Sequence, residues 1–264
     1  MASLQWEAIE PKPEISNRSS PLALGEALEH IFHDMGGGLW LAGGTALAGF
    51  YAEHRRSDDL DLFATDLTTF KSATLAIHAL KERGASFSNE RRTPNYFHAE
   101  LDYENHTFTT DVVLDENLHR VGKAFRVKHG IWVADLPTLF ASKVACLISR
   151  CSEKDLFDLD WIFSKMGRIS VDEIIKRGSL IDGGITVETL LISLRGAILR
   201  QEACHFLLPA SSLTPEKAYR KIGDLRQRLI QSLMEYEKKL PLDEDVKILS
   251  EAMKSRKQDD DPKV

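Results

Sequence analysis

The spacing of apolar residues changes along the chain, from a mixture of strand-like and helical patterns to helical patterns alone. Short apolar runs and period-two alternation occur before residue 165, whereas the chain after Ser170 shows only helical spacing. The first two predicted strands are joined by a helix and the later ones by short turns, which indicates a mixed sheet. The predicted strands are residues 39–42, 60–63, 85–92, 96–103, 107–114, 125–128 and 131–134.

Helices are predicted where apolar residues fall on one face and where capping residues or glycines mark the ends. The predicted helices are residues 20–35, 45–54, 68–83, 135–150, 153–166, a segment from Ser170 onward, 187–208, 214–240 and 243–255. From these patterns we predict a flexible arm over residues 1–19, a domain containing the sheet over 20–168, an all-helical C-terminal domain over 169–257 and a disordered tail over 258–264.

One stretch, residues 39–63, concentrates the residues that can carry chemistry. Asp59 and Asp61 alternate with apolar residues, so both carboxylates project from one face of a strand. Neighbouring anions repel, but a divalent cation between them removes the conflict, and magnesium prefers one or two carboxylates plus substrate phosphates. Gly43 and Gly44 open the preceding helix, whose N-terminal amides can hold phosphate oxygens. The alternative interpretation is a polar strand face in water.

Further candidates flank this strand in sequence or in the predicted sheet. Asp111 is a single acid inside a β-branched run and is the best third carboxylate, with Asp115 as the alternative on the same face. An exposed strand residue is the simpler interpretation of Asp111. The Thr45 hydroxyl can donate to a phosphate, and Arg55 and Ser57 lie where they can contact a triphosphate.

Two helices further along carry a lysine and a pair of aspartates. Lys143 lies within an apolar helical stripe, so it either extends to the surface or reaches the nucleotide phosphates. Asp155 and Asp158 fall one turn apart on the next helix, close to Arg150 and Lys154. A helical salt-bridge cluster is the simpler interpretation of these four residues.

Bulk composition excludes some classes of protein. The net charge of −6 argues against a protein that coats nucleic acid non-specifically, although a local basic groove is compatible with it. Three scattered cysteines indicate neither a disulfide framework nor a zinc site, and they fit a reducing cytosol. No apolar run reaches the ~20 residues of a membrane span and no secretory signal precedes the first helix, so we expect a cytoplasmic protein with no membrane contact.

Several motifs in a fixed order resemble a known group. They are GGTAL at 43–47, HRRSDDLDLF at 54–63, Lys143, and KDLFDLDWIF at 154–163. In this order they resemble the AbiEii/AbiGii-type nucleotidyltransferase toxins, which include MenT-type toxins, and the resemblance covers about residues 39–165. It implies a DNA-polymerase-β-like minimal nucleotidyltransferase fold of the α+β class, in which a mixed sheet is flanked by helices and followed here by a helical C-terminal region.

The resemblance also implies roles for individual residues. Carried over by position, it gives a triphosphate site at Gly43, Gly44 and Thr45, metal ligands at Asp59 and Asp61, a phosphate contact at Lys143, and a role for Asp158 in positioning the nucleotide or the lysine. Superfamily members often have Gly-Ser where this chain has Gly44-Thr45, so the hydroxyl is kept. Asp111 matches no motif of the group, so its predicted role rests only on its position in the predicted sheet.

The predicted site residues come partly from the residue patterns and partly from the family resemblance. The predicted catalytic residues are Asp59, Asp61, Asp111, Lys143 and Asp158; the nucleotide-binding residues are Gly43, Gly44, Thr45, Arg55, Ser57 and Lys143; the metal ligands are Asp59, Asp61 and Asp111.

The resemblance implies an enzyme that uses Mg²⁺, or Mn²⁺, to transfer a nucleotide from a nucleoside triphosphate (NTP) to an RNA (tRNA-like) acceptor, releasing pyrophosphate, with a cognate antitoxin as partner. The acidic pI favours a small-molecule or protein acceptor as an alternative, and a non-catalytic nucleotide-binding module is a third. Basic residues of the helical region either guide RNA or form a solvated face; they are Lys217, Arg220, Lys221, Arg226 and Arg228.

Overall fold

A seven-stranded sheet organises the chain in the computed structural model, which describes residues 8–167 and 169–239. The strands are β1 (Leu39–Ala42), β2 (Leu60–Ala64), β3 (Ser86–Arg92), β4 (Tyr96–Tyr103), β5 (His106–Leu114), β6 (Ala124–Arg126) and β7 (Trp132–Ala134). The α-helices are α1 (Leu22–Phe32), α2 (Gly43–Leu47), α3 (Leu67–Ala79), α4 (Leu136–Ser149), α5 (Glu153–Met166), α6 (Val171–Gly178), α7 (Val187–Gly196) and α8 (Pro215–Glu237).

The strand order is β3-β4-β5-β2-β1-β7-β6, with both parallel and antiparallel neighbours. At the centre, β2 pairs antiparallel with β1 and parallel with β5, and β1 pairs parallel with β7. Alternate residues of β2 are buried, beginning with Leu60 and Leu62, and α3 packs against β1, β2 and β5. The predicted α+β class, a mixed sheet flanked by helices with a helical C-terminal region, is confirmed.

The connection between β1 and β2 is tight and irregular. The helix begins at Gly43, two residues earlier than predicted, and continues after Leu47 as a π-helix over Ala48–Ala52. Glu53 then adopts a left-handed conformation with φ 47°, which ends the helical segment. π-helical turns of this kind are common near functional sites.

The segment that precedes α1 runs across this irregular connection. The Lys12 amide donates to Phe50 O at 2.7 Å, and the Ser16 amide donates to Gly49 O at 2.9 Å. The Ser57 amide in turn donates to the carbonyl of Ser19, at 2.8 Å. The described part of the predicted arm therefore holds backbone contacts with the residues that lead into β2.

One helix prediction is wrong in length. The helix predicted over residues 187–208 ends at Gly196, and a short 3₁₀ segment, Gln201–Phe206, follows. In a longer helix the carbonyls of Leu194 and Arg195 would accept bonds from amides four residues ahead. They accept bonds from the Arg226 guanidinium instead, at 2.5 and 2.9 Å, so a side chain from α8 caps the shortened helix.

The predicted helix over residues 243–255 and the predicted tail over 258–264 lie outside the described residues. No helix in the described ranges combines the length and the apolar character needed to cross a membrane.

The C-terminal helices pack directly on the two helices that follow the sheet. Helix α8 lies against α5 and α7, and α4 contacts both α6 and α7. Ile222 of α8 and Leu194 of α7 are fully buried and belong to the same apolar cluster as the residues beneath the sheet. We therefore infer that the two predicted domains unfold together.

Truncation of Ile222 tests this inference. Ile222→Ala leaves a cavity at a fully buried position, and we expect a loss of about 3 kcal/mol in the free energy of unfolding. The measurement is urea unfolding followed by both fluorescence and circular dichroism, with a single shifted transition expected. The control is Ile192→Ala, because Ile192 is 64% exposed and its truncation should change stability by less than about 0.5 kcal/mol. Two unfolding transitions, of which only one is shifted in Ile222→Ala, would show that the two domains unfold independently.

Candidate active site

A cavity of 280 Å³ opens where β2 and β5 face the start of α2 and one side of α4. Its lining contains every predicted site residue except Thr45 and Asp158. The lining residues are Gly43, Gly44, Arg55, Ser57, Asp59, Asp61, Phe63, Thr109, Asp111, Ser142, Lys143, Cys146, Arg150 and Lys154.

Asp61 of β2 and Asp59, which directly precedes the strand, both line the cavity, as expected for alternate residues of an extended segment. The Thr109 hydroxyl donates to Asp59 Oδ1 at 2.8 Å, whereas the Asp61 carboxylate accepts no hydrogen bond from any described residue. Burial raises the pKa of the Asp61 carboxyl, and the charges of Asp59 and Asp111 raise it further, although Lys143 opposes them. Asp61 is thus a carboxylate held at an electrostatic cost, and a cation would relieve that cost.

Asp111 lies beside Asp61 because the two residues are register partners on the parallel strands β2 and β5. The Tyr96 hydroxyl donates to Asp111 Oδ1 at 2.5 Å, and His98 Nδ1 lies 2.8 Å from the same oxygen. Burial and the bond to Asp111 raise the pKa of Tyr96 to about 12, so this phenol remains a donor. Asp115 lies outside the cavity lining and accepts the Asn117 amide in a turn, so Asp111 is the carboxylate that the fold brings to the site.

These contacts limit which residues can hold a metal ion. Among the described residues, no three histidine, cysteine or acidic side chains are arranged to ligate one. The predicted set of three carboxylate ligands is not assembled here, and Asp111 Oδ1 is occupied by Tyr96 and His98. Asp59 and Asp61 remain, and two carboxylates completed by substrate phosphates suit magnesium.

Glycine is required at both predicted cradle positions because side chains approach the backbone closely there. Gly43 has φ +63°, and a Cβ atom at this position would lie 1.8 Å from Asp61 Oδ2. A Cβ atom at Gly44 would lie 2.5 Å from Arg55 Nη2 and 2.7 Å from Ser57 Oγ. The two glycines therefore let the start of α2 pack against the acids and cations of the cavity.

Thr45 is placed differently from its prediction. The sequence placed its hydroxyl against phosphate, but the residue is fully buried and lies behind the cavity wall. Its Oγ1 donates to Asp59 O at 2.5 Å and lies 3.2 Å from Ser57 Oγ. The hydroxyl therefore fixes the loop that presents Asp59, which leaves it no free position facing a ligand.

Asp158 is also behind the wall, at the centre of a buried ion cluster. Arg55 donates from Nε to Oδ1 at 2.6 Å and from Nη2 to Oδ2 at 2.8 Å, and Lys143 Nζ lies 2.8 Å from Oδ2. Burial alone would raise the pKa of Asp158, but Arg55 and Lys143 hold it well below its ordinary value. Of the two predicted roles of Asp158, this geometry fits positioning of the lysine, and it positions Arg55 as well.

Lys143 joins this cluster to a second aspartate. Its Nζ lies 3.1 Å from Asp155 Oδ1, and Arg150 donates from Nε to Asp155 Oδ2 at 2.8 Å. Lys143 is only 3% exposed, so the alternative that it extends to the surface is wrong. Burial alone would lower its pKa, but Asp158 and Asp155 raise it above its ordinary value, so the lysine is charged. An ammonium has three donors, two of which are accounted for by Asp155 and Asp158, and Lys143 also lines the cavity.

Most of the predicted RNA-guiding cations of the helical region have structural partners. Lys221 Nζ lies 2.6 Å from Asp160, Arg228 lies 3.4 Å from the same carboxylate, and Arg226 caps α7. Lys217 and Arg220 are left as candidates for an RNA contact.

Sequence reasoning missed several residues of the cavity. Phe63 continues the alternation of Asp59 and Asp61, so the same argument from strand spacing could have identified it. Cys146 and Arg150 follow Ser142 at intervals of four, which is one face of a helix. Tyr96 and His98 carried no usable signal, because their contact with Asp111 depends on the register of β4 on β5.

Two carboxylates at and just before the start of β2, a diglycine turn beside them and buried cations across the cavity form the arrangement expected of a nucleotidyltransferase. The family model "Nucleotidyl transferase AbiEii toxin, Type IV TA system" matches residues 26–224. The chain belongs to this family of nucleotidyltransferase toxins, which confirms the resemblance seen in the sequence. Membership implies a nucleoside triphosphate substrate and an antitoxin partner.

Solved structures from two bacteria are similar to this chain. MenT4, a nucleotidyltransferase toxin from Mycobacterium tuberculosis, is 16% identical with a TM-score of 0.49, covering 79% of this chain and 86% of that chain. JHP933 from Helicobacter pylori is 17% identical with a TM-score of 0.46, covering 81% and 92%. A putative nucleotidyltransferase from H. pylori is 18% identical with a TM-score of 0.44, covering 81% and 94%. No curated protein matches the sequence.

The ion cluster generates a stability prediction. Asp158→Asn leaves Arg55 and Lys143 buried without their shared counter-charge, and we expect a loss of about 3 kcal/mol or more in the free energy of unfolding. Urea unfolding at pH 7 measures the change. Asp102→Asn is the matched control, because Asp102 is exposed and its replacement should cost less than about 0.5 kcal/mol.

The same variant has a defined pH dependence. Because the folded state holds the pKa of Asp158 below its unfolded value of about 3.9, the pairing stabilises the protein above that pH. The stabilisation is lost as the pH falls from there through the folded-state pKa. The stability difference between the parent protein and Asp158→Asn should therefore be full at pH 7 and shrink below about pH 4. A difference that stays constant down to pH 3 contradicts this assignment.

Proposed function

We propose that the protein is a metal-dependent nucleotidyltransferase toxin that transfers a nucleoside monophosphate from an NTP to the 3′ hydroxyl of a tRNA-like RNA and releases pyrophosphate. The observation that carries the proposal is Asp61. It is a carboxylate without a hydrogen-bond donor among the described residues, placed beside Asp59 and opposite the cations Arg55 and Lys143. A triphosphate with its divalent cation complements both charges of this cavity.

Asp59 and Asp61 are the residues that fit the cation, which we take to be Mg²⁺ or Mn²⁺. When bound, a divalent ion supplies Lewis-acid stabilisation of charge on the reacting phosphate. Asp59 Oδ1 is oriented by Thr109, and the backbone ahead of it is fixed by Thr45. Asp59, which these bonds orient, and Asp61, which accepts no hydrogen bond from the described residues, therefore face the space that the triphosphate is proposed to occupy.

The other lining residues make room for the phosphates, neutralise their charge and accept the proton of the attacking hydroxyl. Gly43 and Gly44 leave room for phosphates, and the unused donors of Arg55 and Lys143 neutralise their negative charge. Tyr96 and His98 hold Oδ1 of Asp111, which leaves Oδ2 to accept the proton of the attacking hydroxyl. The acceptor oxygen forms a bond to the α-phosphorus, the bond from that phosphorus to the bridging oxygen breaks, and pyrophosphate leaves with the electron pair.

The wider setting follows from the family and the substrate. An antitoxin restrains the toxin, and because the reaction consumes NTP we assign the protein to the cytoplasm. An RNA acceptor is the proposal, and the net charge of −6 is the observation that favours a small-molecule or protein acceptor instead.

Replacement of Asp61 separates catalysis from stability. Asp61→Asn should lower transfer at least about 100-fold, because the cation loses a ligand. Burial raises the pKa of the Asp61 carboxyl, so its charged form destabilises the folded protein at neutral pH, and the melting temperature of Asp61→Asn should be equal or higher. Asp115→Asn, in a turn outside the cavity, is the control and should retain full activity. Normal transfer by Asp61→Asn contradicts the proposed site.

The acceptor is identified by incubating the protein with each labelled NTP, magnesium and total RNA together with protein and small-molecule fractions. Label at the 3′ end of tRNA is the expected result. Label in a protein or a small molecule would mean that the proposed acceptor is wrong, although the reaction would still be nucleotidyl transfer. Absence of both transfer and metal-dependent NTP binding contradicts the enzyme and favours a non-catalytic module.

A further inference from the structure

The proposed reaction leaves one buried histidine behind the wall of the catalytic cavity unused. His54 follows the left-handed Glu53, and its side chain is 8% exposed. Its Nε2 atom lies 2.8 Å from Asp158 Oδ1, and its ring stacks on Phe157 with the centroids 5.4 Å apart and the planes inclined by 5°. The ring of Trp161 lies 5.9 Å away on another side. The imidazole is therefore held against α5, beside the carboxylate of Asp158.

The surroundings of the two ring nitrogens show which hydrogen His54 carries. Nε2 faces a carboxylate oxygen and therefore donates, whereas Nδ1 is buried and has no hydrogen-bond partner among the described residues. A proton on Nδ1 would be buried without an acceptor, at a cost in free energy. Burial lowers the pKa of His54 despite the opposing effect of Asp158, and Arg55 and Lys143 lower it further. His54 is therefore a neutral Nε2–H donor at pH 7.

The Asp158 carboxylate accepts from four donors, two on each oxygen. Arg55 Nε and His54 Nε2 share Oδ1, whereas Arg55 Nη2 and Lys143 Nζ share Oδ2, at distances between 2.6 and 2.8 Å. A carboxylate has about four lone-pair sites, so these contacts hold it in one orientation. A neutral imidazole fills the fourth site without adding a third positive charge around this buried carboxylate.

The orientation of Asp158 sets the position of the Arg55 guanidinium. Its Nε and Nη2 atoms bind the carboxylate side by side, and Nη1 donates to Arg56 O at 2.7 Å. Nη2 also lies 2.5 Å from the Cβ position at Gly44, and Arg55 and Gly44 both line the catalytic cavity. A rotation of the carboxylate would therefore displace a cation at the cavity wall, where small displacements reduce catalysis.

The backbone that delivers His54 is unusual and is held by the segment ahead of α1. Glu53 has φ 47° directly after the π-helix, a conformation that costs free energy in a residue other than glycine and that concentrates at functional sites. Lys12 Nζ lies 2.8 Å from Glu53 Oε1, and the Glu53 amide donates to Ala48 O at 3.0 Å. The strained residue directly precedes His54, so it sets the direction from which the imidazole enters the cluster.

We propose that His54 is a positioning residue for nucleotidyl transfer, which as the neutral Nε2–H tautomer fixes Asp158 and, through it, the Arg55 guanidinium at the cavity wall. This role rests on the proposed function, because the guanidinium is proposed to neutralise phosphate charge. The simpler alternative is a histidine that only fills space beside α5. The two roles differ in whether the N–H donor or the ring is needed.

Two replacements in the full chain separate the donor from the ring. His54→Gln keeps an N–H donor near the Nε2 position, whereas His54→Phe keeps a ring on Phe157 and removes the donor. His54→Phe should lower kcat/KM for NTP on the order of tenfold, because a hydrogen bond to a charged group is lost. His54→Gln should restore kcat/KM to within about threefold of the parent value, and the KM for the acceptor should change in neither variant. Parent-like transfer by His54→Phe, or equal losses in both variants, overturns the proposal.

The matched control is His106→Phe. His106 also stacks on a phenylalanine, Phe108, with centroids 6.2 Å apart, and it has a buried ring nitrogen without a described partner. It pairs with no carboxylate in the described part of the chain and lies outside the cavity lining, so its replacement should leave transfer unchanged. Both His54 variants are compared below their melting temperatures, so that a loss of transfer does not reflect unfolding.

Nuclear magnetic resonance keeps the test independent of transfer. In protein with isotope-labelled histidine at pH 7, a signal absent from His54→Gln should come from a ring protonated at Nε2 and bare at Nδ1. It should persist at about pH 5.5, where exposed histidines with a pKa near 6.5 are charged. An imidazolium or an Nδ1–H tautomer overturns the proposal, and this measurement on the parent protein holds even if a variant fails to fold.

The guanidinium provides the second signal. In protein with isotope-labelled arginine, the Nε–H resonance of Arg55 should move in His54→Phe and return towards its parent position in His54→Gln. This pattern supports the fixing of Arg55 by His54 even if the protein transfers no nucleotide, in which case only the proposed reaction fails. A resonance that stays at its parent position in His54→Phe overturns the proposal, whatever the activity of the protein.

Discussion

The buried pairing of Asp158 with Arg55 and Lys143 is the interaction on which the cavity depends. Asp158 belongs to α5, Lys143 to α4, and Arg55 to the loop before β2, so one carboxylate fixes three separate parts of the chain. Charges at this depth are tolerated only when they are paired and hydrogen-bonded. The pairing holds two cations at the cavity wall while consuming only some of their donors, which leaves positive charge facing the proposed triphosphate.

Opposite these cations, the fold keeps the buried Asp61 carboxylate available to a ligand, and this lowers the stability of the folded protein. Gly43 adopts a left-handed conformation and lets the backbone approach the Asp61 carboxylate, which receives no hydrogen bond from the described residues. A site that satisfied Asp61 internally would be more stable but would have nothing left to offer a cation. The cavity therefore combines buried cations held by Asp158 with an acid that a bound cation would complete.

Sequence reasoning succeeded where local rules decide the structure. Alternation with apolar residues was enough to place Asp59 and Asp61 in one cavity, although β2 begins only after Asp59, and helical spacing located most helices. It failed where distant segments meet. The register of β4 on β5 brings Tyr96 and His98 to Asp111, and Arg226 of α8 caps a helix that ends more than 25 residues upstream. Neither contact has a local signature, because each depends on how separate elements pack.

The proposed site is tested most directly by a crystal structure of the protein with Mg²⁺ and a non-hydrolysable NTP. We expect one triphosphate between the Gly43-Gly44 turn and Lys143, with the ion in contact with both Asp59 and Asp61. A triphosphate bound elsewhere, or an ion that touches neither aspartate, would contradict it.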